Sequence, residues 1–434
     1  MKPRDLLYTT RDLLRDLLRF DAAADAVLSR LFRAKPQLGK TDRQVLADTV
    51  YQVLRHLRLF QTLAADDSIG GAMELRLAIL GWAGNPASLH AALSPEQLAW
   101  RKRLLAQDAL ALPEAVRWSL PEWLATALRA HYGDEYPALA QALLRPAPLD
   151  LRVNVQKTRR EAVLDAFALL GLPAQPTPYS PWGVRLEGKP ALQDLTLFRE
   201  GWVEVQDEGS QLLALLLAPR RGEMVVDFCA GAGGKTLALG AMMRSSGRLY
   251  AFDVADYRLA KLKPRLLRSG VSNVYPVAIA HERDERVKRL AGKVDRVLVD
   301  APCSGLGTLR RNPDMKWRQK PEDLAELTAK QASILQAAAT LVKPGGRLVY
   351  ATCSLLPEEN GAIVEAFLAA HPAFERVSAA EVLRQQGVTD ASLVTQGDLQ
   401  LLPNRHGTDG FYAAVLQRRA ASVADAPSTA PIAG

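Results

Sequence analysis

Two of the chain's three cysteines each follow a short apolar run that reads as a β-strand. Cys303 stands in Asp300-Ala301-Pro302-Cys303-Ser304, just after Val297-Leu298-Val299. Cys353 stands in Ala351-Thr352-Cys353-Ser354, just after Leu348-Val349-Tyr350. If the two strands are neighbours, their ends lie about 4.8 Å apart, and Asp300, Cys303 and Cys353 converge. An acid and two thiols at one place suit alkylation of a pyrimidine at C5. That carbon is a poor nucleophile by itself. A thiolate adding at C6, with an acid protonating N3, makes C5 enamine-like and able to attack an electrophilic methyl group. A base then removes the C5 proton and the thiol leaves. A free thiol has a pKa near 8.5, so the attacking one must be activated by its surroundings. The competing reading is a pair of buried structural cysteines.

The third cysteine lies in Asp227-Phe228-Cys229-Ala230-Gly231-Ala232-Gly233-Gly234-Lys235-Thr236, which follows a strand and opens a helix. Glycines there let the backbone approach a ligand, and the helix N-terminus adds favourable dipoles. A phosphate-binding P-loop needs glycine at position 229, which is Cys; a dinucleotide fingerprint needs glycine at 236, which is Thr. A nucleoside-cofactor turn needs only strand, turn and helix, with an acid ending the next strand. Asp253, after Leu249-Tyr250-Ala251-Phe252, supplies a carboxylate able to accept both ribose hydroxyls. The alternative for Asp253 is an N-cap for the following helix.

These groups need a scaffold. Val225-Val226-Asp227, Leu249 to Phe252, Val294 to Val299 and Arg347 to Tyr350 are apolar runs separated by helical segments. That order predicts a doubly wound, mostly parallel sheet, with ligands over the carboxyl ends of its strands. Upstream, residues 3–112 read as helical: Leu6, Leu7, Leu13, Leu14, Leu17 and Leu18 share a face, as do Val45, Leu46, Val50, Val53, Leu54 and Leu57. Arg43, Arg55 and Arg58 on the polar faces are candidates for RNA phosphates, or else part of a solvated surface. Pro121 to Leu144 predicts two helices. The run Leu149 to Val155, a helix from Arg160 to Leu170 and a strand from Trp182 to Leu186 predict a small α+β module able to present a sheet to RNA. Lys157, Arg159 and Arg160 fit that role or an ordinary loop.

The 434 residues exceed one compact domain, and 48% hydrophobic with 24% charged residues is ordinary for globular proteins. A formal charge of +8 favours a polyanionic partner. Three cysteines cannot form a disulfide framework, and no zinc-ligand spacing appears, so a reducing cytoplasm and no metal are expected. Neither a leader nor a membrane span is expected.

Several ordered motifs resemble the RsmB/Nop/Sun family of RNA cytosine-5 methyltransferases. They are Asp227 to Thr236, Asp300 to Ser304 with Gly307, Arg310-Arg311-Asn312-Pro313-Asp314 and Tyr350-Ala351-Thr352-Cys353-Ser354. Val205 to Gln211, Pro357-Glu358-Glu359-Asn360 and Asp409-Gly410-Phe411 add to them, so that the match spans roughly residues 120–417. Residues 40–55 are similar, more loosely, to the NusB-like domain of the ribosomal RNA branch. The resemblance implies an α/β fold, a Rossmann-like class I methyltransferase domain (201–417) preceded by an all-α NusB-like RNA-binding domain (1–118) and a small α+β RNA-binding module (119–200). A disordered tail (418–434) is expected after it. It implies that Cys353 is the nucleophile, that Cys303 helps release product, and that Asp300 is the acid near N3. It also implies S-adenosylmethionine contacts from the backbone of Cys229, Ala230, Gly231, Ala232, Gly233, Gly234 and Lys235, and from Asp253 and Asp300. Arg310 and Arg311 would hold RNA phosphates at the pocket mouth. A cytoplasmic monomer methylating ribosomal RNA is the resulting expectation. A transfer RNA methyltransferase and a non-catalytic RNA-binding assembly factor are the rivals.

Two departures stand out. Where the family has Ala-Ala-Pro-Gly-Gly-Lys, this chain has Ala230-Gly231-Ala232-Gly233-Gly234-Lys235, so the turn is expected to be more flexible. Where the family has an acid near the adenine, the chain reads Val277-Ala278-Ile279-Ala280-His281-Glu282, so weaker cofactor binding is expected.

Overall fold

The computed structural model describes residues 1–188 and 190–420. They form two compact units: residues 1–146 with 308–323, and 147–307 with the chain from 324 onward. The expected tail overlaps the last strand at Arg418, and residues 421–434 lie outside the described residues.

The first unit is helical. Leu6, Leu7, Leu13, Leu14 and Leu17 are buried on one face of the helix Pro3–Leu17, and Leu46, Val50, Val53 and Leu54 on the helix Lys40–Arg55. The helix Met73–Leu80 is buried nearly all round, as a central helix must be. Residues 308–323, expected within the third domain, cluster with this unit. The reason is visible at the end of the helix Lys40–Arg55. The indole N–H of Trp317 donates to the Leu54 carbonyl at 2.8 Å and Lys316 Nζ to the Arg55 carbonyl at 2.9 Å. These are carbonyls that a helix C-terminus leaves without partners, and a cation there suits the dipole. Lys316 is only 3% exposed, and burial pushes its pKa well down.

The three arginines weighed as phosphate ligands are tied internally instead. Arg43 donates to the carbonyls of Leu38 and Pro36, and Arg58 to Leu120 and Glu122. Arg55, 5% exposed, donates to the Arg310 carbonyl at 2.8 Å. A guanidinium carries five donors on a long stem, so it reaches backbone carbonyls that periodicity cannot foresee.

The second unit opens with a four-stranded antiparallel sheet in the order β2-β3-β1-β4, made of β1 (Leu149–Val153), β2 (Ala174–Pro176), β3 (Gly183–Leu186) and β4 (Val203–Val205). Alternation puts Leu151, Val153, Val184 and Val203 in a core with Val163 and Phe167 of the helix Arg160–Leu169. The other face carries Asp150, Arg152 and Glu204, all buried. The sheet is therefore covered on its polar side too, contrary to the expectation of a face open to RNA. Lys157 and Arg160 are likewise engaged, Lys157 Nζ with the Glu200 and Arg268 carbonyls and Arg160 with that of Ser180.

The main sheet holds β5 (Met224–Phe228), β6 (Arg248–Asp253), β7 (Val274–Ala278), β8 (Val294–Asp300), β9 (Val342–Thr352), β10 (Phe374–Val377), β11 (Val394–Thr395), β12 (Asp398–Leu401) and β13 (Phe411–Arg418). Its order is β11-β12-β13-β9-β8-β5-β6-β7, with β10 also on β13. β7, β6, β5, β8 and β9 run parallel, and β13 is antiparallel to β9. This is the expected Rossmann-like architecture. Successive residues feed opposite cores, Val225 and Leu298 on one side, Val226 and Val297 on the other. The strand order reverses between β5 and β8, the place where such sheets bind ligands. Among the described residues no helix is long and apolar enough to cross a membrane.

Candidate active site

β8 and β9 are parallel neighbours, with Val299 opposite Tyr350 and Asp300 opposite Ala351. The turns after them are therefore side by side, and Cys303 Sγ lies 3.4 Å from Cys353 Sγ. Each cysteine is followed by a serine, and the two serines meet one carboxylate. Glu359, fully buried, accepts the Ser304 N–H at 2.8 Å, the Gln331 amide at 2.9 Å and the Ser304 hydroxyl at 2.5 Å. The Ser354 hydroxyl donates to it as well. A buried carboxylate is costly unless hydrogen-bonded in this way. Tyr350 fixes the same residue by donating its hydroxyl to the Glu359 carbonyl at 2.7 Å.

Backbone approach locks the turns further. The Gly307 N–H donates to the Cys353 carbonyl and the Gly410 N–H to the Gly307 carbonyl, both at 2.8 Å. A Cβ on Gly307 would stand 2.1 Å from the Gly410 oxygen, so no larger residue fits.

The Cys303 thiol is pushed well above its ordinary value, first by its hydrogen bond with Cys353 and then by burial. Cys229 differs: burial raises its thiol too, but its contribution is its backbone, left-handed at φ 67°. A non-glycine residue there stores roughly 1–2 kcal/mol of strain.

That strained residue starts the turn after β5, where Gly231 and Gly233 also have positive φ, 57° and 81°. A Cβ at Gly231 would meet nothing within 4 Å, so the turn leaves open space above itself. Asp253 at the end of β6 faces the turn, accepting the Gly231 N–H and the Ala255 N–H, each at 2.7 Å. This carboxylate braces the turn; the helix Asp256–Leu259 has Ala255 at its N-cap and no side-chain cap, so Asp253 is not the N-cap that one reading expected. Below, Asp227 accepts the Thr236 hydroxyl at 2.6 Å while its other oxygen has no hydrogen-bond partner, and burial raises its pKa to about 7. An open glycine cradle beside an unpartnered buried oxygen fits a nucleoside cofactor carrying an ammonium. At position 280 there is no carboxylate; Asp284 turns back instead to accept the Ala280 N–H at 2.9 Å.

The side chain of Lys235 joins the two halves. Its Nζ lies 2.6 Å from Asp300 Oδ2 and 5.9 Å from the centre of the Phe411 ring. Burial works against its ammonium, but Asp300, then Asp227 and Cys353, more than offset this and raise its pKa. The sequence reading used only this residue's backbone. The signal was a lysine opening a helix one strand away from an acid that ends β8. Glu359 was also missed as a functional residue, although the repeated Cys-Ser pair marked where a shared acceptor was needed.

Arg310 and Arg311 fall in the segment that clusters with the helical unit, where Arg310 donates to the Pro146 carbonyl at 3.2 Å. They are not brought beside the cysteines within one unit.

The family described as 16S rRNA methyltransferase RsmB/F matches residues 214–417, and the RsmF/B-like ferredoxin-like domain matches residues 120–193. "Probable ribosomal RNA small subunit methyltransferase B" of Synechocystis sp. is 35% identical, covering 94% of this chain and 98% of its own. "Ribosomal RNA small subunit methyltransferase B" of Pseudomonas syringae pv. tomato is 33% identical over 95% of this chain and 89% of its own. A solved methyltransferase homologue from Pyrococcus horikoshii superposes with a TM-score of 0.60 and 26% identity, covering 75% of this chain and all of that one. With paired thiols at the ends of adjacent strands, an open glycine turn after β5 and relatives matched over nearly their whole length, this chain belongs to the RsmB/F family of RNA methyltransferases.

Proposed function

We propose that the chain methylates C5 of a cytosine in small-subunit ribosomal RNA through a covalent bond from Cys353 to C6 of the base. The observation that carries this reading is the 3.4 Å approach of Cys303 and Cys353 beside the Lys235–Asp300 pair. Bound S-adenosylmethionine supplies an electrophilic methyl group. The turn from Cys229 to Lys235 and Asp253 hold its nucleoside and amino-acid parts.

Cys353 adds to C6 as a thiolate, and a proton reaches N3 from Asp300, behind which the ammonium of Lys235 stands as a reservoir. C5 then becomes nucleophilic. After C5 carries the methyl group, its proton leaves to a base, the C6–sulfur bond breaks with Cys353 departing as a thiolate, and N3 returns its proton to Asp300. Cys303 assists this elimination from its place 3.4 Å from the departing Cys353 sulfur. The names borne by the relatives favour ribosomal over transfer RNA. The base must be unstacked to meet two sulfurs at once, so an unpaired or partly folded RNA is the substrate.

The test is adduct trapping. Cys303→Ala should accumulate a covalent protein–RNA species, while Cys353→Ala should give neither adduct nor methylation. An adduct in Cys353→Ala with none in Cys303→Ala would reverse the roles. Bisulfite sequencing of ribosomal and transfer RNA from a deletion strain identifies the substrate.

A further inference from the structure

The turn from Ala230 to Gly234 has no proline, and two of its carbonyls are held from outside it. Arg152 of β1 donates to the Gly234 carbonyl at 2.7 Å. Arg265, on the helix Leu262–Ser269, donates to the Ala232 carbonyl at 2.5 Å. Arg265 is in turn gripped by Glu204 of β4, at 3.0 and 3.3 Å, and Glu204 also pairs with Arg268. Arg152 and Glu204 are direct cross-strand partners on the covered face of the small sheet. Glu204 is only 3% exposed, so these charges interact with little screening. The same helix meets the turn sterically, since a Cβ on Gly233 would fall 2.2 Å from Leu262.

We infer that Arg265, fixed by Glu204, is a positioning residue for the cofactor turn, with Arg152 as its second anchor, so that the small module sets cofactor affinity. The physical logic is preorganisation. Guanidinium donors on the Ala232 and Gly234 carbonyls, with the Gly233 N–H closed on the Ala230 carbonyl at 2.9 Å, hold the turn in one conformation. Ordering a glycine-rich turn in advance removes an entropy cost from binding. This inference rests on the reading of the turn as the S-adenosylmethionine site.

The experiment is calorimetric titration of the full-length protein with S-adenosylhomocysteine, with methylation kinetics and thermal unfolding on the same samples. Arg265→Met should weaken binding about tenfold, the size of one lost charge-assisted hydrogen bond. It should raise the cofactor KM by a similar factor, with a smaller loss of turnover at saturating cofactor. Glu204→Gln should shift both the same way by less, because Arg265 stays in place on a weaker partner. Asp253→Ala separates the two ideas. If Asp253→Ala loses affinity while Arg265→Met and Glu204→Gln bind as tightly as the parent, the brace is wrong and the turn still holds the cofactor. If none of the three changes affinity, the reading of the turn fails and the inference with it. A fall in turnover for Arg265→Met at unchanged KM would also overturn it.

Discussion

Ser304 and Ser354, one residue past each cysteine, share the buried carboxylate of Glu359. The carbonyls of Ala232 and Gly234 in the cofactor turn are held instead by arginines from a neighbouring helix and from the small sheet. Both regions sit at the carboxyl edge of one sheet, yet one is locked by its own strands and the other by elements outside the turn. On the proposed function, the difference follows from what each would have to do. Two sulfurs at 3.4 Å would have to keep their spacing through bond making and breaking, which a dense internal network suits. A turn that would admit and release a cofactor each cycle needs only the bias of a few external donors.

The largest contrast is expected at Cys353. Its replacement by Ala should lower turnover by at least about 10⁴-fold, while S-adenosylhomocysteine binds as in the parent. Loss of cofactor binding would show that the two regions are not separable. Next comes Glu359→Ala, which strands the Ser304 N–H and the Gln331 amide in a buried site. Denaturant unfolding should show a loss of about 3–5 kcal/mol, and folded protein should methylate poorly at unchanged cofactor affinity. Glu359→Gln should sit between the two, since an amide still offers one acceptor.

Gly307→Ala asks whether spacing alone matters. Its Cβ would force the Cys353 turn and Gly410 apart at a cost of about 1–3 kcal/mol, and adduct formation should slow more than cofactor binding weakens. Asp227→Asn probes the other region through pH. Burial raises the folded carboxyl from 3.8 to about 7, so the folded state binds the extra proton. The stability this contributes is complete below pH 3.8 and is lost as pH rises through about 7. Asparagine should therefore stabilise the protein by about 1–2 kcal/mol at pH 8, an advantage that shrinks toward pH 5. A constant difference across that range, read by thermal unfolding, would refute a buried titrating carboxyl.

Much of this was legible before any coordinates. Runs such as Val297-Leu298-Val299 and Leu348-Val349-Tyr350 read as buried parallel strands because both faces of the sheet are covered. β10 to β12 escape notice because strands of 4, 2 and 4 residues lack so plain a pattern, whereas the apolar run of β13, 8 residues long, is there to be read. Arg55 looked like a surface residue and is buried, because helical periodicity says which side a residue faces but not what packs there from 255 residues away.

By itself the sequence determined the strand-turn-helix unit around the glycine turn, the pair of thiols at strand ends and the family they belong to, because residue types in short, fixed spacings dictate local geometry. Tertiary structure alone decided that β8 and β9 are neighbours, that Lys235 meets Asp300, that Glu359 serves both cysteine turns, and that residues 308–323 cluster with the helical unit. Those facts depend on contacts between residues far apart in the chain. Such contacts are chosen by which buried polar groups can be satisfied together, and no local pattern encodes that.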